Sequence, residues 1–181
     1  MKHWNVLKKD KGFTLTEILV VAVIFGVLSA VAVPNLLGLI YNARVTDGVA
    51  TIEGALKEAK AQAIRNSQTC VIDVVTNASG NYVVQPSTRA GLPANNSQCL
   101  LQTRELPEGV VVNINPAAMI TFSGKGNADY IDLDNPAATP TNRTYTVSHN
   151  NISTSKCVYI EGLFGDVKTG IVQGGNCNTN L

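Results

Sequence analysis

Glu17 is the residue whose chemistry most needs explaining. It sits four positions after Phe13, near the start of an almost wholly apolar run from Phe13 to Val33. As a helix those 21 residues reach about 30 Å, the hydrocarbon thickness of a bilayer. A carboxylate in lipid costs roughly 2.5–3.5 kcal/mol on insertion scales, so one kept there signals a partner or a function. The partner that chemistry asks for is a positive charge. Ahead of the run, Lys2, Lys8, Lys9 and Lys11 against Asp10 give a leader of net charge +3, while only Arg44 stands near the far side. Positive residues stay cytoplasmic, which places the N-terminus inside and everything after Val33 outside.

Other residues that could carry chemistry are few. Cys70, Cys99, Cys157 and Cys177 all follow the apolar run, where an oxidising compartment and an even count favour two disulfides. Three connectivities are open. Sequential pairing, Cys70 with Cys99 and Cys157 with Cys177, closes the smaller loops and is the expectation; the second bond would pin a Gly/Asn-rich tail. No C-x-x-C spacing supports a zinc site. Asp129, Asp132, Asp134 and Asn135 are oxygen ligands close enough for a calcium loop, but Asp132 and Asp134 flank Leu133 in strand-like alternation, which favours a solvated face. No metal or other cofactor is therefore expected. His3 belongs to the leader and His149 stands alone among polar residues, and no Ser or Cys has a nucleophile's setting. The chain does not read as an enzyme.

The elements that position these groups follow from periodicity. Beyond the apolar run, Tyr41, Val45, Val49, Ile52, Leu56, Ala59 and Ala63 recur at spacings of three and four. This predicts one apolar stripe on a helix reaching Asn66, with Arg44, Asp47, Glu53, Lys57, Lys60 and Arg65 on the opposite face. Gly26 and Pro34 both weaken the helix between them: proline removes a backbone bond and crowds the preceding turn, and glycine loosens it. Residues 67–181 change character, with short β-branched runs between turn residues such as Asn-Ala-Ser-Gly and Gly-Lys-Gly. Strands are predicted at Cys70–Val75, Tyr82–Gln85, Gly109–Ile114, Met119–Phe122, Tyr130–Leu133, Tyr145–Ser148, Cys157–Glu161 and Val167–Val172. Residues 91–98 and 136–142 read as exposed loops. No helical crossovers intervene, so the expected fold class is α+β, a long helix on an antiparallel sheet or pair of sheets. Those 115 residues suffice for one domain with its own core, and sparse charge, 15% over the whole chain, suits a loop-rich extracellular domain.

The start of the chain also resembles a known family. Lys11-Gly12-Phe13-Thr14-Leu15-Thr16-Glu17, then the apolar run and Pro34, is similar to the class III signal of type IV pilins and pseudopilins. The resemblance covers residues 8–34. It implies a cut between Gly12 and Phe13 by prepilin peptidase on the cytoplasmic side, N-methylation of Phe13, and Glu17 as the assembly carboxylate at the fifth mature position. The freed amine of Phe13 in an arriving subunit would then meet Glu17 of its neighbour. In assembled pili of this family the segment from Gly26 to Pro34 is often unwound. Two competing readings fit less well. A secretory signal cut at Ala30-Val31-Ala32 has an apolar core of roughly 7–15 residues and no carboxylate, and a plain anchor leaves Glu17 unexplained.

A second resemblance lies in the head. Ile120-Thr121-Phe122-Ser123-Gly124-Lys125-Gly126, with Gly165-Asp166-Val167-Lys168, is similar to the H-type pseudopilin and FimT-like minor pilin group. Some of its members bind DNA through basic residues at the latter turn. Here Asp166 replaces the arginine and only Lys168 matches. Beyond Gly12, ten Lys and Arg against twelve Asp and Glu give a formal net charge of −2, so nucleic acid is a minority expectation. The resemblance implies a structural subunit, a minor pilin or pseudopilin of a type IV pilus or type II secretion filament. Its divisions would be a leader (1–12), an inner-membrane and assembly helix (13–34), an amphipathic continuation (35–66) and a periplasmic or extracellular head (67–181). Its partners would be like subunits, the peptidase and the inner-membrane assembly platform. A major pilin and a DNA-binding or adhesive tip subunit are the alternatives.

Overall fold

The computed structural model describes residues 12–88, 98–115, 119–131, 142–162 and 164–179. It divides into two units, the first ending at Leu37 and the second spanning Gly38–Leu181. Helix α1 (Leu15–Asn66) supplies residues to both.

In the first unit the helix begins where the sequence can cap it. The Thr14 hydroxyl accepts the Glu17 backbone N–H at 3.2 Å, which satisfies one of the amides a helix start leaves open. Apolar side chains then face outward on every side; Ile18, Leu19, Val23, Phe25 and Leu28 are all more than half exposed. A helix that is apolar all round is built for an apolar environment. Among the described residues no helix is long and apolar enough to cross a membrane.

The second unit buries its apolar surface against itself. The stripe predicted from spacing is the buried face of α1: Val45, Val49, Ile52, Leu56, Ala59 and Ala63 are buried, together with Ala55, and Tyr41 is half-buried. Gly48 has no side chain because a Cβ there would lie 3.2 Å from Val147 Cγ1 and 3.3 Å from Val110 Cγ1. The helix ends in a Schellman motif, with Gln68 N–H bonding Ala63 C=O at 3.1 Å and Ser67 N–H bonding Ile64 C=O at 3.2 Å. Ser67 takes the left-handed conformation at this end, and Gly124 packs so close to it that a Cβ would sit 2.7 Å from the Ser67 carbonyl carbon.

Two five-stranded antiparallel sheets cover the helix. Strands β1 (Cys70–Thr76), β2 (Tyr82–Pro86), β3 (Arg104–Glu105), β5 (Met119–Phe122) and β6 (Ala128–Ile131) form one, in the order β3-β2-β1-β5-β6. Strands β4 (Val110–Asn115), β7 (Asn142–His149), β8 (Lys156–Glu161), β9 (Asp166–Gln173) and β10 (Asn176–Asn178) form the other, in the order β10-β9-β8-β7-β4. The common core joins the helix stripe to Ile72, Val84, Ile120 and Phe122 of the first sheet and to Val112, Tyr145, Val147, Val158 and Ile160 of the second.

The strands depart from expectation in two added elements and in several boundaries. β3 and β10 were not foreseen, because Arg104–Glu105 and Asn176–Asn178 carry no apolar alternation; neighbouring strands recruit them. Gly109 precedes β4 rather than opening it, in the left-handed conformation at φ 79°. β6 begins at Ala128, two residues early, and Leu133 lies outside the described residues. β7 runs from Asn142 to His149, longer than the predicted Tyr145–Ser148, so Asn142 belongs to a strand and not to the expected loop. That extension places Arg143 and His149 on the buried face with Tyr145 and Val147.

Candidate assembly site

The residues expected to carry assembly lie at the start of the first unit. Gly12 to Thr14 precede the helix, and Phe13 is 78% exposed. Glu17 occupies the first helical turn, where a carboxylate suits the positive end of the helix dipole. Its side chain is exposed, and no cation of the chain pairs with it among the described residues. Among the described residues this acid therefore has no counter-charge. The backbone stays helical through Gly26 and Pro34.

In the second unit the carboxylates have internal work. Glu58, half-buried on α1, accepts the Leu101 backbone N–H at 2.7 Å and pairs with Arg104 of β3. This tie between the helix and the short third strand was not read from sequence; the signal was Glu58 standing one turn before Gln62 on the stripe's flank, with no charge partner at helical spacing. Glu53 and Lys57 form the i,i+4 pair at 2.5 Å. Three cations clamp backbone or hydroxyl oxygens instead of acids: Arg44 donates to Glu108 C=O at 3.1 Å, Lys60 to Phe164 C=O at 2.7 Å and Lys156 to Thr46 Oγ1 at 2.8 Å.

The cysteines pair as Cys70–Cys99 and Cys157–Cys177, with Cα separations of 5.3 and 5.9 Å. The first ties the start of β1 to the segment entering β3. The second joins β8 to β10 across β9, where Gly170 leaves room for the tail; a Cβ there would lie 2.1 Å from Asn178 O. Asp129 lies on β6 opposite Thr121, while Asp132 and Asp134 are outside the described residues. Among the described residues no group of three His, Cys, Asp or Glu side chains could hold a metal ion.

Two positions read differently from the sequence. His149 does not stand among polar residues: it is buried, stacks on the Tyr41 ring at 4.3 Å, and its Nδ1 accepts the Asn151 N–H at 3.2 Å. It is a packing residue. Asp166 is the first residue of β9 and not part of a turn; Gly165 before it makes the turn. Lys168, the one basic match to the DNA-binding pattern, bonds Glu161 at 2.5 Å and lies 3.9 Å from Asp166. The bond to Glu161 and that carboxylate's charge raise the lysine pKa above its ordinary value, with Asp166 adding to the effect. Two carboxylates around one ammonium leave this corner net negative, which repels phosphate.

Comparison with known proteins agrees with this layout. Residues 7–33 match the prokaryotic N-terminal methylation motif, and residues 49–163 match the family described as type II transport protein GspH. The type II secretion system core protein G of Klebsiella pneumoniae is 45% identical over 53 residues, which are 28% of this chain and 38% of that protein. The chain thus spans well under half the length of the curated relative it matches. No solved structure matches. An N-terminal methylation motif and a matched head of this extent lead to one conclusion: the chain belongs to the type II transport protein GspH family.

Proposed function

We propose that the chain is a structural subunit, a pseudopilin or minor pilin, that polymerises into a type II secretion pseudopilus or a type IV pilus. One observation carries the reading: a methylation motif and a matched pseudopilin head occur on one chain, with a glutamate in the first helical turn that meets no cation among the described residues. In this account residues 1–12 are a leader removed by prepilin peptidase, and Phe13 becomes the N-methylated first residue. Residues 13–34 anchor the subunit in the inner membrane with its N-terminus cytoplasmic, and then form the filament core. Residues 35–66 continue the helix under a periplasmic or surface head. An assembly platform in the inner membrane receives the subunit, and no catalysis is assigned to it.

The physical reason is the cost of two stranded charges. A lone ammonium and a lone carboxylate are each expensive in lipid. Setting the Phe13 amine of one subunit against Glu17 of the next offsets part of both costs and fixes axial register, so the pair contributes specificity as much as net stability. The segment from Gly26 to Pro34, helical in the single subunit, is proposed to extend on assembly. A filament map with ordinary helical rise across it would refute that extension.

The direct test is the N-terminus of mature protein recovered from membranes. Mass analysis should find N-methyl-Phe13. A chain beginning at Val33 would instead indicate a soluble exported domain and end the subunit reading.

A further inference from the structure

The head carries a trough that none of the assembly features explains. Two concavities of about 350 and 550 Å3 lie along β2 and β3 and share Gln85 and Thr103. Val75 and Val83 line one end and Leu100 the other. At the valine end stands Glu105. Its Oε1 accepts the side-chain amides of Asn77 at 2.9 Å and Asn81 at 2.8 Å, and no cation pairs with it among the described residues. Two neutral donors aim the carboxylate without cancelling its charge. At the opposite end Leu101 is 83% exposed, whereas Leu100 and Leu106 beside it are buried.

The trough is also built to hold its shape. The wall from Leu100 to Thr103 is fixed at one side by the Cys70–Cys99 disulfide and at the other by Glu58, which holds both the Leu101 N–H and Arg104. The Asn77 carbonyl group of the side chain in turn accepts the N–H groups of Ser79 and Asn81, locking the β1–β2 turn that presents both amides. β3 pairs only with Val83 and Val84, and Pro86 beyond them has no N–H to offer, so an incoming chain is poorly served as an added strand. Recognition must come from side chains lying in the trough.

We propose that this trough docks an extended polypeptide segment of another protein, with a lysine or arginine against Glu105 and an apolar side chain against Leu101. The charge of Glu105 selects the cation, and the valines below it accept the aliphatic stem of that side chain. The chain bends at Leu101 and Gln102 before entering β3, so the probe carries its apolar and its cationic side chain at opposite ends to reach both walls. The proposal goes beyond the subunit reading and does not rest on it.

The test uses the detergent-solubilised full chain and the peptide acetyl-Leu-Thr-Thr-Thr-Lys-amide, followed by calorimetry at low salt. Saturable binding is expected. It should weaken roughly tenfold in Glu105→Gln, weaken a few-fold in Leu101→Ser, and stay unchanged in Glu161→Gln. Replacing the peptide lysine by glutamate should abolish binding to the unaltered chain, a control that needs no variant to fold. Equal binding of the lysine and glutamate peptides, or no binding at millimolar peptide, overturns the proposal. So does peptide-insensitive self-association that Glu105→Gln removes, since the occupant would then be a second copy of this chain.

Discussion

The two units of this chain solve opposite problems. From Gly38 onward the molecule is self-sufficient: the helix stripe is buried, the cysteines are paired, and Glu53, Glu58 and Glu161 each meet a cation. Up to Leu37 the described apolar side chains are exposed, and Glu17 meets no cation among the described residues. The contrast teaches where the partners are. One unit buries its apolar face against its own sheets, and the other leaves its face exposed where the proposed subunit contacts would fall.

The contrast can be broken from the head side first. Leu56 is fully buried among helix and sheets, so Leu56→Ala should destabilise the head by about 2–5 kcal/mol. Chemical denaturation should show that loss, while cleavage at Gly12 continues. If processing fails in step with head stability, cleavage at Gly12 depends on the folded head. A smaller loss is expected from the double change Cys157→Ser with Cys177→Ser, about 2–4 kcal/mol for a bond closing 20 residues. Limited proteolysis should then release the tail beyond β9 first; an unchanged digest would show that β10 pairing alone suffices.

The smallest effect sharpens the comparison by showing how little a solvated ion pair matters. The Lys168 pKa is raised, so any stabilisation is fully present below the ordinary lysine pKa and disappears as pH rises through the raised one. Lys168→Met should leave thermal stability at pH 7 within error, because exposed pairs of this kind contribute little. A large loss would mean this corner is structural and not an open surface.

How much of this was legible in the sequence depended on the period of the signal. The helix stripe was readable because seven residues repeat at three and four, and all except Tyr41 are buried. Eight strands were readable from β-branched runs. β3 was not, because two charged residues have no alternation and are held by Glu58 and β2 from outside their own segment. His149 was misread for the same reason: its burial depends on Tyr41, more than a hundred positions away, and on β7 being longer than its apolar centre. The docking trough was invisible altogether, since it joins two turns and an edge that only folding brings together. At the N-terminus the reverse held. Glu17 stood out in the sequence alone because its neighbours are so uniformly apolar, and the structure adds only that its carboxylate meets no cation among the described residues.

The central claim is that a neighbour's liberated amine is what makes Glu17 tolerable. Glu17→Gln tests it most directly, in cells that process and export the chain, with filament yield and N-terminal mass measured together. Mature N-methyl-Phe13 chains should accumulate in the membrane, and no filaments should form. Filaments at the unaltered yield, built from the glutamine variant, would contradict it.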